Sequence, residues 1–241
     1  MSDIDPRVVA VLAITLVVGA AVQGLVGLGL GLVAAPVTVM LEPRLMPDLL
    51  LWLAMAMPVV TLLREREQID WRGLGWALSA RVPGTVAGVY LVGVFSAQEL
   101  GVAVGVMVLL SVAVTARSLV LPVNRVTLTG AGFTSGITGT ATSIGGPPMA
   151  ILLQHRAPVQ IRTTLAVYFL LGAALSLVGL AITGSLETAP FVLALLFLPC
   201  LVVGFVLSRL VRRALPTAQI RPAVLVVCAA SAVVLLFRSL A

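Results

Sequence analysis

The sequence predicts an all-α integral membrane protein with two homologous repeats, each containing a broken helix or hairpin plus three transmembrane helices. Composition, the lengths of the apolar runs and an internal duplication predict this fold. Of the 241 residues, 60% are hydrophobic and 10% are charged, whereas a soluble domain usually carries about 25% charged residues. Because a water-soluble fold cannot hide so much apolar surface, we expect a multi-pass protein of the cell inner or plasma membrane.

The basic charge balance is explained by membrane topology. The net charge is +6, and all 15 basic residues are arginines. They stand in short loops beside apolar runs, where the charge bias of membrane proteins accounts for them. We therefore expect the lipid bilayer as a partner and no nucleic acid.

Eight apolar runs follow one another along the chain, and a helix needs roughly 20 apolar residues to cross the bilayer core. The runs cover 8–41, 49–63, 73–95, 100–120, 126–153, 163–182, 189–208 and 223–237. A capping box at Ser96–Glu99 is expected to begin the helix of the fourth run.

Two of these runs are interrupted. Run 8–41 is too long for one pass and contains the glycine-rich stretch 23–31, and run 126–153 contains the Gly, Thr and Pro-rich stretch 136–148. We expect each run to form two half-helices joined by unwound chain. Prolines 147 and 148 suit the first turn of the later half-helix, and Thr142 or Ser143 could cap it.

The two interrupted runs also match each other. Three residues of the first recur in the second at a separation of 112 positions: Gly24 with Gly136, Gly27 with Gly139, and Pro36 with Pro148. The triplet Arg-Ser-Leu occurs at 117–119 and again at 238–240. This ordered series predicts an internal duplication with repeats 1–120 and 121–241.

Two topologies are open, and the arginines favour one of them. If every run crosses the membrane, the repeats are parallel and the arginines divide evenly between the faces. If the broken runs are hairpins, the repeats are inverted and the arginines cluster, as the positive-inside rule requires. One face then takes Arg64, Arg66, Arg72, Arg117, Arg125, Arg156, Arg162, Arg209, Arg212, Arg213 and Arg221. The other takes Arg7, Arg44 and Arg238. We therefore expect inverted repeats with both termini outside.

Broken helices at a repeat interface point to a transporter site. A half-helix N-terminus offers unpaired N–H groups and about half a positive charge, which suits an anion. The expected substrate-binding residues are Gln23, Gly27, Gly29, Gly31, Arg81, Thr138, Gly139, Thr140, Thr142, Ser143, Gly145, Gly146 and Pro147. Alternatively, the glycines only permit close helix packing and the hydroxyls bond back to helical carbonyls.

The arginine within the third run has two interpretations. Arg81 could face a cavity and attract an anion, or it could extend its side chain to the membrane surface. No carboxylate stands clearly within an apolar run, so a proton relay is not expected. We expect no enzyme activity, no catalytic residue, no metal and no cofactor.

Residues 139–153, Gly-Thr-Ala-Thr-Ser-Ile-Gly-Gly-Pro-Pro-Met-Ala-Ile-Leu-Leu, resemble the second-repeat signature of the sulfite exporter TauE/SafE permeases. The stretch 24–31 followed by Pro36 is similar to their first-repeat glycine motif. The resemblance covers the chain in length, duplication and run order. It implies transport of small sulfur oxyanions or organic acids, such as sulfite or sulfonates.

We therefore expect a secondary transporter, a permease or exporter, for a small anion such as sulfite, a sulfonate or a related sulfur oxyanion or organic acid. The alternative is a non-transporting membrane subunit that scaffolds a larger complex. A homo-oligomer is a further expectation.

Overall fold

The computed structural model describes residues 5–26, 29–116, 121–214 and 217–240. Within these ranges the chain forms helices and no strands. The helices are α1 (Pro6–Val26), α2 (Leu30–Leu41), α3 (Asp48–Arg64), α4 (Trp71–Val94), α5 (Ala97–Ala116), α6 (Arg125–Thr142), α7 (Gly146–Leu153), α8 (Pro158–Ile182), α9 (Thr188–Ala214) and α10 (Thr217–Leu240), with a short 3-10 helix at Pro43–Leu45 before α3.

Both interrupted runs form two helices, as the sequence predicts. The first is divided between α1 and α2; Gly27, a predicted site residue, lies outside the described residues. The second is divided between α6 and α7. Its break is shorter than predicted, because α6 continues through Gly136 and Gly139 and ends only at Thr142. The triplet 117–119 also lies outside the described residues.

The chain folds back at each break. A Cβ atom built on Gly19 of α1 would lie 3.3 Å from Cα of Leu30, the first residue of α2. In the second broken segment, the Ser135 hydroxyl donates to the carbonyl oxygen of Gly145. Since a straight helix would separate residues ten positions apart by about 15 Å, each later half-helix begins beside the body of the earlier one.

The sequence predicts one helix start correctly and another wrongly. At the start of α5, Ser96 N–H donates to Glu99 Oε2 over 2.7 Å and Glu99 N–H donates to Ser96 Oγ over 3.3 Å, so the capping box is confirmed. The expected cap on α7 is wrong, because its N-cap is Gly145 and no side chain bonds there. Ser143 has a left-handed backbone, φ 59°, and ends α6 instead.

The helices pack in four main pairs: α1 with α9, α3 with α8, α4 with α6, and α5 with α10. Large apolar side chains cover the outside, including Ile182 at 81% exposure and Val126 at 80%. Polar side chains such as Ser135 and Thr140 are fully buried. This reversal of the water-soluble pattern is expected where lipid is the solvent.

Five helices of the described chain are long and apolar enough to cross a membrane. Their spans are Pro6–Leu25, Trp71–Val94, Ala97–Ala116, Val159–Ile182 and Thr188–Val211. Helices α2 and α3 are apolar but shorter. The fold is therefore that of a multi-pass helical membrane protein.

Helices α4 and α6 pack backbone against backbone along a row of glycines, called here the glycine seam: Gly84 of α4, and Gly132 and Gly136 of α6. A Cβ atom on Gly84 would collide with the carbonyl oxygen of Phe133, and one on Gly132 would collide with that of Ala77. At Gly136 it would lie 2.6 Å from the carbonyl oxygen of Arg81. For Gly132 and Gly136, close helix packing is therefore sufficient to explain the glycine.

Candidate functional site

A cavity of about 70 Å³ lies between the two breaks. Eight of the predicted site residues line it: Gln23, Gly29, Gly31, Arg81, Gly139, Ser143, Gly145 and Pro147. The other walls come from α3, through Leu50, Leu51 and Ala54, and from α8, through Phe169 and Ala173. The fold thus brings together two motifs that are more than a hundred positions apart in the sequence.

The two breaks touch each other at this cavity. A Cβ atom on Gly31 would lie 2.7 Å from the carbonyl oxygen of Ser143, so only glycine allows this approach without displacement. Gln23 acts locally, because its Oε1 accepts the N–H of Leu30 over 3.1 Å and so satisfies one free donor at the start of α2.

The second break presents the N-terminus of α7 to the cavity. Gly145 and Gly146 are buried, and no hydrogen bond in the described part of the chain uses either N–H group. Pro147 and Pro148 occupy the first turn, where their missing N–H groups cost little. Two backbone N–H groups without a partner and the positive end of a helix dipole therefore lie at this break, where Gly145 and Pro147 line the cavity.

Arg81 supplies a full positive charge to the same wall. Its side chain is 3% exposed, so it faces the interior and does not extend to the membrane surface. Nη1 donates to Ser135 Oγ over 3.1 Å, while Nε has no hydrogen-bond partner. Among the side chains that the structure describes, the one ion pair joins Arg162 and Glu65, so Arg81 has no carboxylate partner there. A buried guanidinium without a counter-charge is costly, and an anion would offset that cost.

The predicted threonines lie around the break and not on the cavity wall. Thr142 Oγ1 donates to the Thr138 carbonyl over 2.7 Å and accepts the N–H of Ile144 over 3.3 Å. Thr138 Oγ1 donates to the Ile144 carbonyl over 3.0 Å. Thr140 shares a hydrogen bond of 2.8 Å with Ser176 of α8. These hydroxyls shape the break, and Gly146, the first residue of α7, stands in the chain between two residues of the cavity lining, Gly145 and Pro147.

Three residues hold Arg81 in place, and sequence reasoning linked none of them to it. The guanidinium Cζ lies 4.7 Å from the ring centroid of Tyr168. A Cβ atom on Gly172 would collide with that same Cζ. The guanidinium therefore occupies space on α8 that is free only because residue 172 has no side chain. The third is Ser135, the bonded hydroxyl on α6. Because these residues stand far apart in the sequence and in plain helices, no local pattern marks them.

The structure buries a carboxyl group at the border of an apolar run, at a position that the sequence analysis does not single out. Asp48, the first residue of α3, is 3% exposed. Its Oδ2 accepts the N–H of Glu187 over 3.0 Å, and its Oδ1 is buried without a partner. The preceding residue, Pro47, accepts the Ser143 hydroxyl through its carbonyl oxygen over 2.9 Å. A buried carboxyl group therefore directly precedes the apolar run 49–63, and its neighbour Pro47 contacts the second break.

Comparison with known families identifies the family of this chain. The family model described as "Sulfite exporter TauE/SafE" matches residues 11–235, nearly the whole chain. The chain belongs to the sulfite exporter TauE/SafE family. TauE/SafE proteins are membrane transporters, so this chain is a membrane permease of that family. No curated protein and no solved structure matches it.

The TauE/SafE match covers the breaks of both interrupted runs and all the residues that line the cavity. Family membership implies a permease or exporter of sulfur anions. A cavity with one buried guanidinium and unbonded backbone donors can form charge-assisted hydrogen bonds to a small anion.

Proposed function

We propose that this TauE/SafE protein is a secondary transporter that carries a small sulfur oxyanion, sulfite or a small sulfonate, across the cell inner or plasma membrane. The observation that carries the proposal is Arg81. Its buried guanidinium lines the cavity beside the N-terminus of α7 and has no carboxylate partner among the described side chains.

The donors at the site suit an oxyanion. A guanidinium has five N–H donors in a planar fork that matches oxyanion geometry, and only one of them has a hydrogen-bond partner within the described chain. The N–H groups of Gly145 and Gly146 add donors from a second direction. Because the surroundings are apolar, each of these interactions is stronger than it would be in water.

The size of the cavity favours a compact ion. Its volume is about 70 Å³, whereas one water molecule needs about 10–15 Å³ of cavity space, so the cavity has room for a small number of waters. An inorganic oxyanion or the smallest sulfonates suit this space. A larger organic tail would require the walls formed by α3 and α8 to move apart.

Anion flux into liposomes tests the proposed function. The purified protein is reconstituted, and uptake of sulfite, sulfate, small sulfonates and carboxylates is measured against protein-free liposomes. We expect flux of at least one sulfur oxyanion, and Arg81→Gln should reduce it strongly at low anion concentration. A non-transporting scaffold subunit predicts no flux of any anion, and that result with folded protein would reject the proposal.

We further propose that repeats 1–120 and 121–241 are inverted, as the sequence predicts. If α1 to α5 correspond in order to α6 to α10, then the pair α4 with α6 has α9 with α1 as its counterpart. The pairs α3 with α8 and α5 with α10 each join corresponding helices. A pseudo-twofold arrangement accounts for all four pairs.

Contacts near the helix ends support hairpins over eight crossings. Arg162 bonds to Glu65, and Glu187 bonds to Asp48. The Gln98 amide donates to the carbonyl oxygen of Ser239 over 2.7 Å. In the hairpin topology the partners of each pair lie at the same face, whereas eight crossings would place them on opposite faces. With the arginine-rich face in the cytoplasm, both termini lie outside.

A further inference from the structure

We propose that Asp48 is a proton-binding site coupled to the anion cavity, so that this transporter binds its anion together with a proton. The proposal rests on the proposed function, because it concerns the co-substrate of the same cavity. It uses a buried carboxyl group that the anion site itself does not require.

The surroundings of Asp48 allow both protonation states. The side chain is 3% exposed and Oδ1 has no hydrogen-bond partner, so burial opposes the charged form. Its position as the first residue of α3 and the bond from the Glu187 N–H favour the charged form. Because these influences oppose each other, the group can take up and release a proton during a transport cycle.

Few other charged or titratable groups lie near Asp48 on the elements that pack against α3. α3 packs against α2, α8 and α9. Glu187 faces Asp48 from the connection before α9, and its side chain is exposed. The connection from α2 contributes Glu42 and the exposed Arg44, and neither forms an ion pair with Asp48. The last turn of α8 and the first turn of α9 contain no titratable residue.

A short path joins Asp48 to the cavity. The Ser143 hydroxyl, which belongs to the cavity wall, donates to the carbonyl oxygen of the adjacent Pro47. The next residues of α3, Leu50 and Leu51, line the cavity directly. An anion at this site and a negative Asp48 are therefore neighbours in apolar surroundings.

Electrostatics sets the sign of the coupling. Two negative charges in a low-dielectric interior repel each other, and a proton on Asp48 removes that repulsion. By reciprocity, a bound anion raises the proton affinity of Asp48 by the same factor that the proton raises anion affinity.

The test compares the wild-type protein with Asp48→Asn, a permanent mimic of the neutral side chain. Glu42→Gln is the matched control, since it removes a carboxylate from the same connection without touching Asp48. Methanesulfonate and sulfate are the probes, because neither changes its charge over the pH range used. Binding is measured by calorimetry at several pH values, and proteoliposomes report anion exchange and accumulation driven by a pH gradient.

We expect wild-type and Glu42→Gln affinities to fall about tenfold as pH rises through the titration of one carboxyl group. Asp48→Asn should keep the tight affinity at every pH, exchange anions, and lose accumulation driven by the pH gradient. Wild-type affinity that is independent of pH would overturn the coupling. So would Asp48→Asn with wild-type pH dependence, or a folded Asp48→Asn that binds no anion. If the wild type itself binds and transports no anion, the proposed function fails as well.

Discussion

The guanidinium of Arg81 lies over the ring of Tyr168, with Cζ 4.7 Å from the ring centroid. The phenolic hydroxyl of Tyr168 is buried and has no hydrogen-bond partner within the described chain. The ring therefore supports the cation through its face without neutralising it. A supported but uncompensated charge is what an anion site in an apolar protein needs.

Two substitutions at Arg81 should separate the contribution of its charge to anion binding from that of its planar guanidinium. Arg81→Gln removes the charge and should weaken anion binding by about 1.5–3 kcal/mol, the range for hydrogen bonds to charged groups. Arg81→Lys keeps the charge but loses the planar fork, so it should lose less. Calorimetry with sulfate or methanesulfonate measures both.

Arg125→Gln is the matched control for Arg81, because Arg125 is exposed and lies over Trp76 at 5.1 Å. It should leave anion affinity unchanged. Equal losses in Arg125→Gln and Arg81→Gln would mean that the effect is general electrostatic attraction, and the assignment of Arg81 to the site would fail.

A methyl group at position 172 should disturb the anion site indirectly, by displacing Arg81. Its Cβ would occupy the position of the Arg81 guanidinium, so Gly172→Ala should displace that group and reduce anion flux. In Gly93→Ala, the control on α4, the new Cβ meets nothing within 4 Å. That change should stabilise the helix by about 0.5–1 kcal/mol. Anion flux and thermal unfolding are measured for both variants. If Gly172→Ala and Gly93→Ala give equal flux, Gly172 does not hold Arg81 in place.

Two neighbouring hydroxyls should have different roles. Thr142→Val leaves the Ile144 N–H without its acceptor and should destabilise the protein by about 1–3 kcal/mol. Anion affinity should change little, because Thr142 does not line the cavity. Thermal unfolding and calorimetry measure the two effects separately.

Ser143→Gly keeps the left-handed backbone but removes the bond to Pro47, so it should lower anion affinity and flux more than Thr142→Val does. Glycine adopts this backbone without strain, which makes the hydroxyl the only loss. If Thr142→Val lowers anion affinity and flux more than Ser143→Gly does, the substrate lies against Thr142, as the sequence alone suggests.

Cysteine labelling from one side of the membrane should distinguish hairpins from eight crossings. In a background with Cys200 and Cys228 replaced, Gln98→Cys and Glu187→Cys should both react with an impermeant thiol reagent in intact cells. Glu65→Cys and Arg156→Cys should both be protected until the membrane is opened. Eight crossings predict that the members of each pair lie on opposite faces, so a split result within either pair would reject the hairpin topology.

The sequence predicts the fold better than it predicts the site. Apolar runs, capping residues and paired glycine motifs depend on local spacing, so the helices and both breaks could be located from them. Side-chain direction at the second break could not, because it depends on the left-handed turn at Ser143. Only the folded structure shows that Gly145 faces the cavity while Thr142 bonds within its own helix. Asp48 was missed because its burial comes from α8 and α9, far away in the chain.

The glycine seam between α4 and α6 has a consequence for how this protein can vary. Every missense change at a glycine adds at least a Cβ atom, and at Gly84 and Gly132 that atom would meet a backbone carbonyl that cannot rotate away. The lipid-facing positions of the same helices, such as Val86 at 66% exposure, accept any apolar residue of similar character. Among related sequences, the glycine positions of α4 and α6 should therefore show very few substitutions. The lipid-facing positions of the same two helices should show many, with one apolar residue replacing another.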